Sequence, residues 1–172
     1  MKPKALLDTS FWINIYQMGL TDKLSDLFDL IYITPRIYDE IEVGKAYNSG
    51  DVSLFEDMLR HGRIELTRVD EEDVMGMRHY VNSSSGEAEL LSALVREPTL
   101  VLLIDNSDVF WFMEQKDLTY LTTANIVITL FATGHLAYSE SRARLHDLYG
   151  VLKKGVVDRA IQTLDHILEE RK

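Results

Sequence analysis

Two apolar runs in this chain end at a carboxylate followed by small polar residues. Ala5, Leu6 and Leu7 lead into Asp8, Thr9 and Ser10, and the apolar residues 100–104 lead into Asp105, Asn106, Ser107 and Asp108. Two more acids flank apolar helical stripes. Glu40 has Ile37 three residues before it and Val43 and Gly44 three and four after, while Glu87 precedes Leu90, Leu91 and Leu94 by three, four and seven. Side chains at these spacings share a helix face. Oxygen-only ligands of this kind suit hard cations, Mg2+ or Mn2+. Like charges crowded together push some carboxyl pKa values up, and a divalent cation removes that penalty.

These acids need elements to hold them. A short buried strand that ends at Asp8 and turns into a helix through Phe11, Trp12 and Ile15 puts that acid outside the carboxyl end of a strand, where open α/β sheets bind ligands. Taken alone, Asp8 reads equally well as an N-cap. The recurrence at Asp105 changes the balance. Residues 21–28 read as a short helix and 30–33 as a second strand, and Thr34 and Pro35 cap and start the helix that carries Glu40. A turn at residues 48–51 precedes a helix to about Arg60 and a weak strand at 64–66. Ser83, Ser84 and Ser85 begin the helix of Glu87, residues 100–104 form the cleanest strand, and 109–115 and 118–121 read as a helix and a final strand. Thr122 and Thr123 cap a helix that is apolar nearly all round at residues 126–131, either deeply buried or half in a subunit contact, and Gly134 ends it. Helices from about Ser139 and Val156 close the chain. The alternation argues α/β with a small, mostly parallel sheet.

Other acids take ordinary roles. Asp70, Glu71, Glu72 and Asp73 suit a first helical turn, where they complement the dipole, and Asp39, Glu42 and Glu89 read as surface residues. Phe110 and Trp111 read as packing against the sheet, although aromatic rings beside Asp105 can also stack on RNA bases.

At 172 residues the chain fits one domain, expected to span 1–172. It has no cysteine, which excludes disulfides, thiolate metal sites and cysteine nucleophiles. The start of the sequence lacks the apolar core of a signal peptide and no run is long enough to cross a bilayer, so a cytoplasmic protein with no membrane partner is expected. The net charge of −10 counts against a high-affinity duplex reader but not against an enzyme that meets phosphate through a bound cation. The five histidines have no zinc-type spacing, and no phosphate-binding glycine loop occurs. A haloacid-dehalogenase-type nucleophile loop wants a second aspartate where Ser10 stands.

The order Leu7-Asp8-Thr9-Ser10, then Thr34-Pro35 through Glu40, then Ser85-Gly86-Glu87, then Ile104-Asp105-Asn106 resembles a PIN domain, and the resemblance runs from Ala5 to the last helix. It implies a PIN-like three-layer α/β/α fold and a metal-dependent ribonuclease. Asp8, Glu40, Glu87 and Asp105 carry over as the catalytic and metal-ligating acids, with Mg2+ or Mn2+ as cofactor. Thr9, Ser10 and Asn106 would orient water or phosphate. One metal would lower the pKa of a bound water and a second, if present, would stabilise the leaving oxygen, giving a 5′-phosphate and a 3′-hydroxyl. The Ser-Gly-Glu form is like that of prokaryotic PIN proteins related to the toxins of VapBC toxin–antitoxin pairs. Single-stranded or structured RNA, an antitoxin and a second copy of the chain are therefore the implied partners. The resemblance leads one to expect a second acid directly after Asp105 and then an Ala-Arg pair; here stand Asn106 and Val109, Phe110, Trp111. Either Asp108 supplies the extra carboxylate or a second metal binds weakly. The alternative is a catalytically weak or inactive PIN-like scaffold that binds protein or RNA.

Overall fold

In the computed structural model, residues 2–44, 49–81 and 86–171 are described, and the chain forms two compact units, Met1–Tyr120 and Leu121–Lys172. The first unit begins with β1 (Lys4–Leu7), α1 (Thr9–Gln17), a 3-10 turn (Thr21–Lys23), α2 (Leu24–Leu27) and β2 (Leu30–Ile33). It continues through α3 (Pro35–Gly44), α4 (Ser49–Arg60), β3 (Ile64–Leu66), α5 (Glu71–Met77) and α6 (Gly86–Arg96). β4 (Val101–Leu103), a 3-10 turn (Ser107–Val109) and α7 (Phe110–Gln115) follow, and β5 (Tyr120–Leu121) lies at the boundary.

The sheet has the order β3-β2-β1-β4-β5. β1 pairs in parallel with β2 on one side and β4 on the other, with Leu6 opposite both Tyr32 and Leu102 and Leu7 opposite Leu103. β1 and β4 lie inside the sheet and, after the exposed Lys4, are apolar without alternation, as expected when both faces are covered. β2 alternates, and β3, at the edge, buries only Ile64. Helices complete the three-layer α/β/α arrangement, with α6 against β1 and α3, and α1 against α3. Trp12 of α1 and Phe55 of α4 are both fully buried, their rings edge to face at 5.3 Å. That contact ties the helix after Asp8 to the helix after α3.

Several boundaries differ from the sequence reading for local reasons. The helix expected over 21–28 is a 3-10 turn and a four-residue α2, and the extended backbone of Phe28 stops it. The helix expected from 109 starts earlier as a 3-10 turn, because Asn106 Oδ1 accepts the Asp108 N–H at 3.0 Å. The strand expected over 118–121 is only Tyr120–Leu121; Asp117 turns the chain at φ 52° and the Leu118 N–H donates back to Met113 O. The acids at 70–73 do open a helix: Asp70 caps α5 by accepting the Glu72 N–H at 3.1 Å, and Asp73 pairs with Arg96 of α6 at 2.6 Å. Ser83, Ser84 and Ser85, expected to begin α6, lie outside the described residues.

The second unit holds α8 (Thr123–Ala132), α9 (Tyr138–Asp147), a 3-10 turn (Leu148–Gly150) and α10 (Lys154–Glu170). Thr122 and Asn125 form a capping box at the start of α8. Ile126, Val127 and Leu130 are fully buried within the single chain, while Ile128 is half-buried. Gly134 reverses the chain just after α8 with φ 82°, and Asp165 of α10 accepts from Arg142 and Tyr138 of α9 at 2.8 and 2.7 Å. Among the described residues, no helix is long and apolar enough to cross a membrane.

Candidate functional site

From β1 the chain steps outward to β2 and β3, then returns to lay β4 on the other side of β1. Between β1 and β4 the strand order therefore reverses, and open sheets bind ligands outside the carboxyl ends of strands at such a point. Asp8 is the first residue beyond β1, and its N–H donates to Leu103 O of β4 at 3.0 Å. Asp105 is the second residue beyond β4. The two acids that repeat in sequence thus share one end of two adjacent strands.

Asp8 takes the capping role that its sequence allows. Its carboxylate caps α1, accepting from the Ser10 N–H at 3.0 Å and from the Ser10 hydroxyl, and it is buried at 7% exposure. Burial above all, with smaller contributions from the negative charges of Glu87 and Glu40, drives its pKa up to about 6 against the pull of the Ser10 hydrogen bonds. Asp8, Glu40 and Glu87 are therefore electrostatic neighbours.

Glu40 reaches the site from α3. Thr34 is fully buried and accepts the Ile37 N–H at 3.4 Å, and Pro35 opens the helix, as the sequence predicts. One turn on, Glu40 accepts from the Thr9 hydroxyl at 2.8 Å and pairs with Arg36 Nε at 3.4 Å. Gly86, the first residue of α6, leaves room for it: a Cβ at that position would stand 2.9 Å from Glu40 Oε1.

Glu89 departs from its surface reading. It is half-buried, and its carboxylate accepts the Arg36 N–H at 3.0 Å, so it caps the first turn of α3 from α6. Asp39 is exposed as expected, whereas Glu42 is half-buried.

Glu87 and Asp105 are each held by an amide. Asn106 Nδ2 donates to Glu87 Oε1, and Asn14 Nδ2 on α1 donates to Asp105 Oδ2 at 2.8 Å. Asn106 replaces the acid expected after Asp105, and here its two ends bind Glu87 and the Asp108 N–H. Asp108 itself is exposed. Sequence reasoning missed Asn14 and gave Glu89 a surface role. A signal for Asn14 existed, since it follows Ser10 by four residues and so shares its helix face.

Each of the four acids accepts at least one hydrogen bond from a neutral donor: Ser10 to Asp8, Thr9 to Glu40, Asn106 to Glu87 and Asn14 to Asp105. Donors of this type orient carboxylates without neutralising them. The oxygen donors and the buried, charge-crowded Asp8 fit a hard divalent cation in chemistry. In spacing, the described residues include no group of three His, Asp or Glu side chains arranged to hold a metal ion.

A cleft of about 440 Å³ opens beside these acids, lined by Glu87, Ser107, Asp108, Val109, Tyr80, Val81 and Trp111. Here the sequence reading of α7 needs correction. Phe112 and Met113 pack inward, but Trp111 is 50% exposed, because on a six-residue helix only one face can turn inward. Phe110 is half-buried and stacks on Tyr120 at 4.5 Å.

The sequence pattern of a family described as a PIN domain matches residues 4–168, nearly the whole chain. A comparison with curated proteins finds no match.

Proposed function

The chain belongs to the PIN domain family, and on that premise we propose that it is a divalent-metal-dependent endoribonuclease whose site is formed by Asp8, Glu40, Glu87 and Asp105. The observation that carries this reading is the position of Asp8 and Asp105 beyond two adjacent strands at the reversal of strand order, with Glu40 and Glu87 near enough to raise the Asp8 pKa. Those four carboxylates would hold Mg2+ or Mn2+. When bound, the cation would supply a water of lowered pKa and positive charge for the oxygen that leaves.

The chain's own residues set the geometry around it. Ser10 fixes the Asp8 carboxylate, Thr9 and Arg36 fix Glu40, Asn106 fixes Glu87 and Asn14 fixes Asp105. The acids would have to draw together around a bound cation, and these hydrogen bonds set the positions from which they do so. Water attacks the phosphorus in line, the bond from phosphorus to the 3′-oxygen breaks, and that oxygen leaves as a hydroxyl with a proton from solvent. The products carry a 5′-phosphate and a 3′-hydroxyl. Asp108, exposed and lining the same cleft as Glu87, could add a further carboxylate. The narrower reading is the cytoplasmic toxin of a toxin–antitoxin pair, acting as a homodimer; it is supported by the likeness of the Ser85-Gly86-Glu87 segment to that group.

A second reading, a scaffold that binds RNA or protein without cutting, is favoured by Asn106, which stands in place of an acid and directs its amide at Glu87. Cleavage of a labelled single-stranded RNA separates the two. With manganese the parent protein cuts, with EDTA it does not, and Asp8→Asn and Asp105→Asn lose the activity while keeping their circular dichroism. Variants that cut like the parent would refute the four-acid site. No cleavage, and no rise in melting temperature on adding manganese, would leave the scaffold.

A further inference from the structure

We propose that the cleft between Tyr80 and Trp111 is a base-stacking subsite that takes one unpaired nucleobase of a single-stranded RNA and so presents the adjoining phosphodiester to the acids. The inference rests on the ribonuclease reading for its choice of ligand.

Two aromatic rings, those of Tyr80 and Trp111, line the cleft. Tyr80 and Trp111 are each 50% exposed, which is costly for large rings in a core-forming helix and its neighbouring turn. Both rings are nevertheless supported from behind by the same buried residue: Phe112 is 1% exposed, with its ring 5.6 Å from Tyr80 and 6.0 Å from Trp111, the latter at right angles. Rings backed in this way lose little freedom when a flat ligand stacks on them. Base-aromatic stacking needs such a platform and tolerates any base.

The charge of the lining selects the part of RNA that enters. Glu87 and Asp108 are its charged residues, and the described lining includes no lysine, arginine or histidine. A phosphate is repelled from such a wall. A neutral base is not, and the exocyclic amines of cytosine, adenine and guanine are donors that a carboxylate accepts. Asp108, exposed at that wall, and the Ser107 hydroxyl are the available partners. The volume of about 440 Å³ falls within the range of small-molecule sites and exceeds what a single ring needs.

Glu87 supplies the link to the chemistry, since it both lines the cleft and adds its charge to that felt by Asp8. A base seated against Trp111 therefore leaves its sugar and phosphate within one nucleotide of the acid cluster. A paired base cannot enter without leaving its duplex, so the subsite favours single strands.

Tryptophan fluorescence tests this directly, because Trp12 is fully buried and Trp111 is the exposed indole of the two in the chain. The full-length Asp8→Asn protein, in magnesium, is titrated with an unstructured ten-nucleotide RNA, with the same RNA as a duplex, and with a strand of abasic residues. Only the unstructured strand should quench. Followed by anisotropy of a labelled strand, Trp111→Ala and Tyr80→Ala should weaken binding roughly tenfold to a hundredfold, the range of stacking losses on alanine substitution. Trp111→Phe should restore most of it. In the active protein, Trp111→Ala should raise KM with a smaller change in kcat.

Equal quenching by the abasic strand, or unchanged binding by Trp111→Ala, overturns the subsite. If the parent cuts RNA and Trp111→Ala cuts with the same KM, the stacking proposal falls and the nuclease stands. If the parent never cuts but Trp111→Ala loses the single strand, the nuclease reading falls and the subsite stands.

Discussion

The side-chain amide of Asn14, in the second turn of α1, donates to Asp105 Oδ2 at 2.8 Å across 91 residues of chain. The helix that Asp8 caps thus also holds the acid that follows β4. Hydrogen bonds to charged groups contribute about 1.5–3 kcal/mol, and loss of an orienting partner at a metal site typically costs 10–100-fold in affinity or activity. Asn14→Ala is therefore expected to lower manganese-dependent RNA cleavage by roughly tenfold or more while the fold is retained. Calorimetric titration with manganese, alongside cleavage rates, checks this; full activity in the variant would show that Asp105 needs no such support.

Asp8 gives the metal-free protein a specific pH dependence. Its pKa is about 6 in the fold against 3.8 for the free side chain, so the folded state binds the proton more tightly than the unfolded chain does. The stability gained from that proton is fully present below the unfolded value and lost as pH rises through 6. At about 1.4 kcal/mol per tenfold in acidity, the loss is on the order of 3 kcal/mol. In EDTA, the parent should thus lose stability between pH 4 and pH 7 relative to Asp8→Asn, which has no such step. Urea denaturation of both proteins at several pH values measures the difference, and parallel curves would refute it.

Gly86→Ala tests how Glu40 is seated. The added Cβ would stand 2.9 Å from Glu40 Oε1, the mobile end of a long side chain, so relief is achieved by moving the carboxylate. Stability should change by less than about 1 kcal/mol, because the helical preference of alanine over glycine offsets a small shift of the carboxylate, while metal-dependent cleavage falls. A variant with unchanged activity would mean that the seating of Glu40 against Gly86 is not needed.

Glu89→Ala removes the acceptor of the Arg36 N–H at the start of α3. Loss of a helix cap typically costs about 0.5–2 kcal/mol. Glu89→Gln keeps an oxygen acceptor and should recover most of the loss in thermal denaturation. Equal destabilisation by both would shift the cause from the cap to charge.

Phe55→Ala removes the partner of Trp12 behind α1. A fully buried phenylalanine cut to alanine costs about 3–5 kcal/mol. Denaturant unfolding should show a loss of that size, and a variant less than about 1 kcal/mol weaker would mean that the cavity collapses freely.

Much of this protein is written locally. The apolar runs at 5–7 and 101–103 predict inner strands because a strand covered on both faces needs no alternation. Thr34 and Pro35, the acids at 70–73 and Thr122 predict helix starts because capping involves neighbours in sequence. Asp8 and Asp105 were legible as a pair since strand ends can be read from where hydrophobicity stops.

What only the tertiary structure decides is which distant groups meet. Strand order, which alone puts Asp8 beside β4, depends on crossovers that no local pattern specifies. Asn14 to Asp105, Asn106 to Glu87 and Glu89 to the Arg36 N–H each join separate elements, and a polar residue on a helix reads as solvent-facing until its neighbour is known. Trp111 shows the opposite error. Its hydrophobicity argued for the core, but the short α7 gives its inward face to Phe112 and Met113, leaving the indole in the cleft beside Glu87. Residue types fix what a side chain can do, and the packing of elements fixes which partner it does it with.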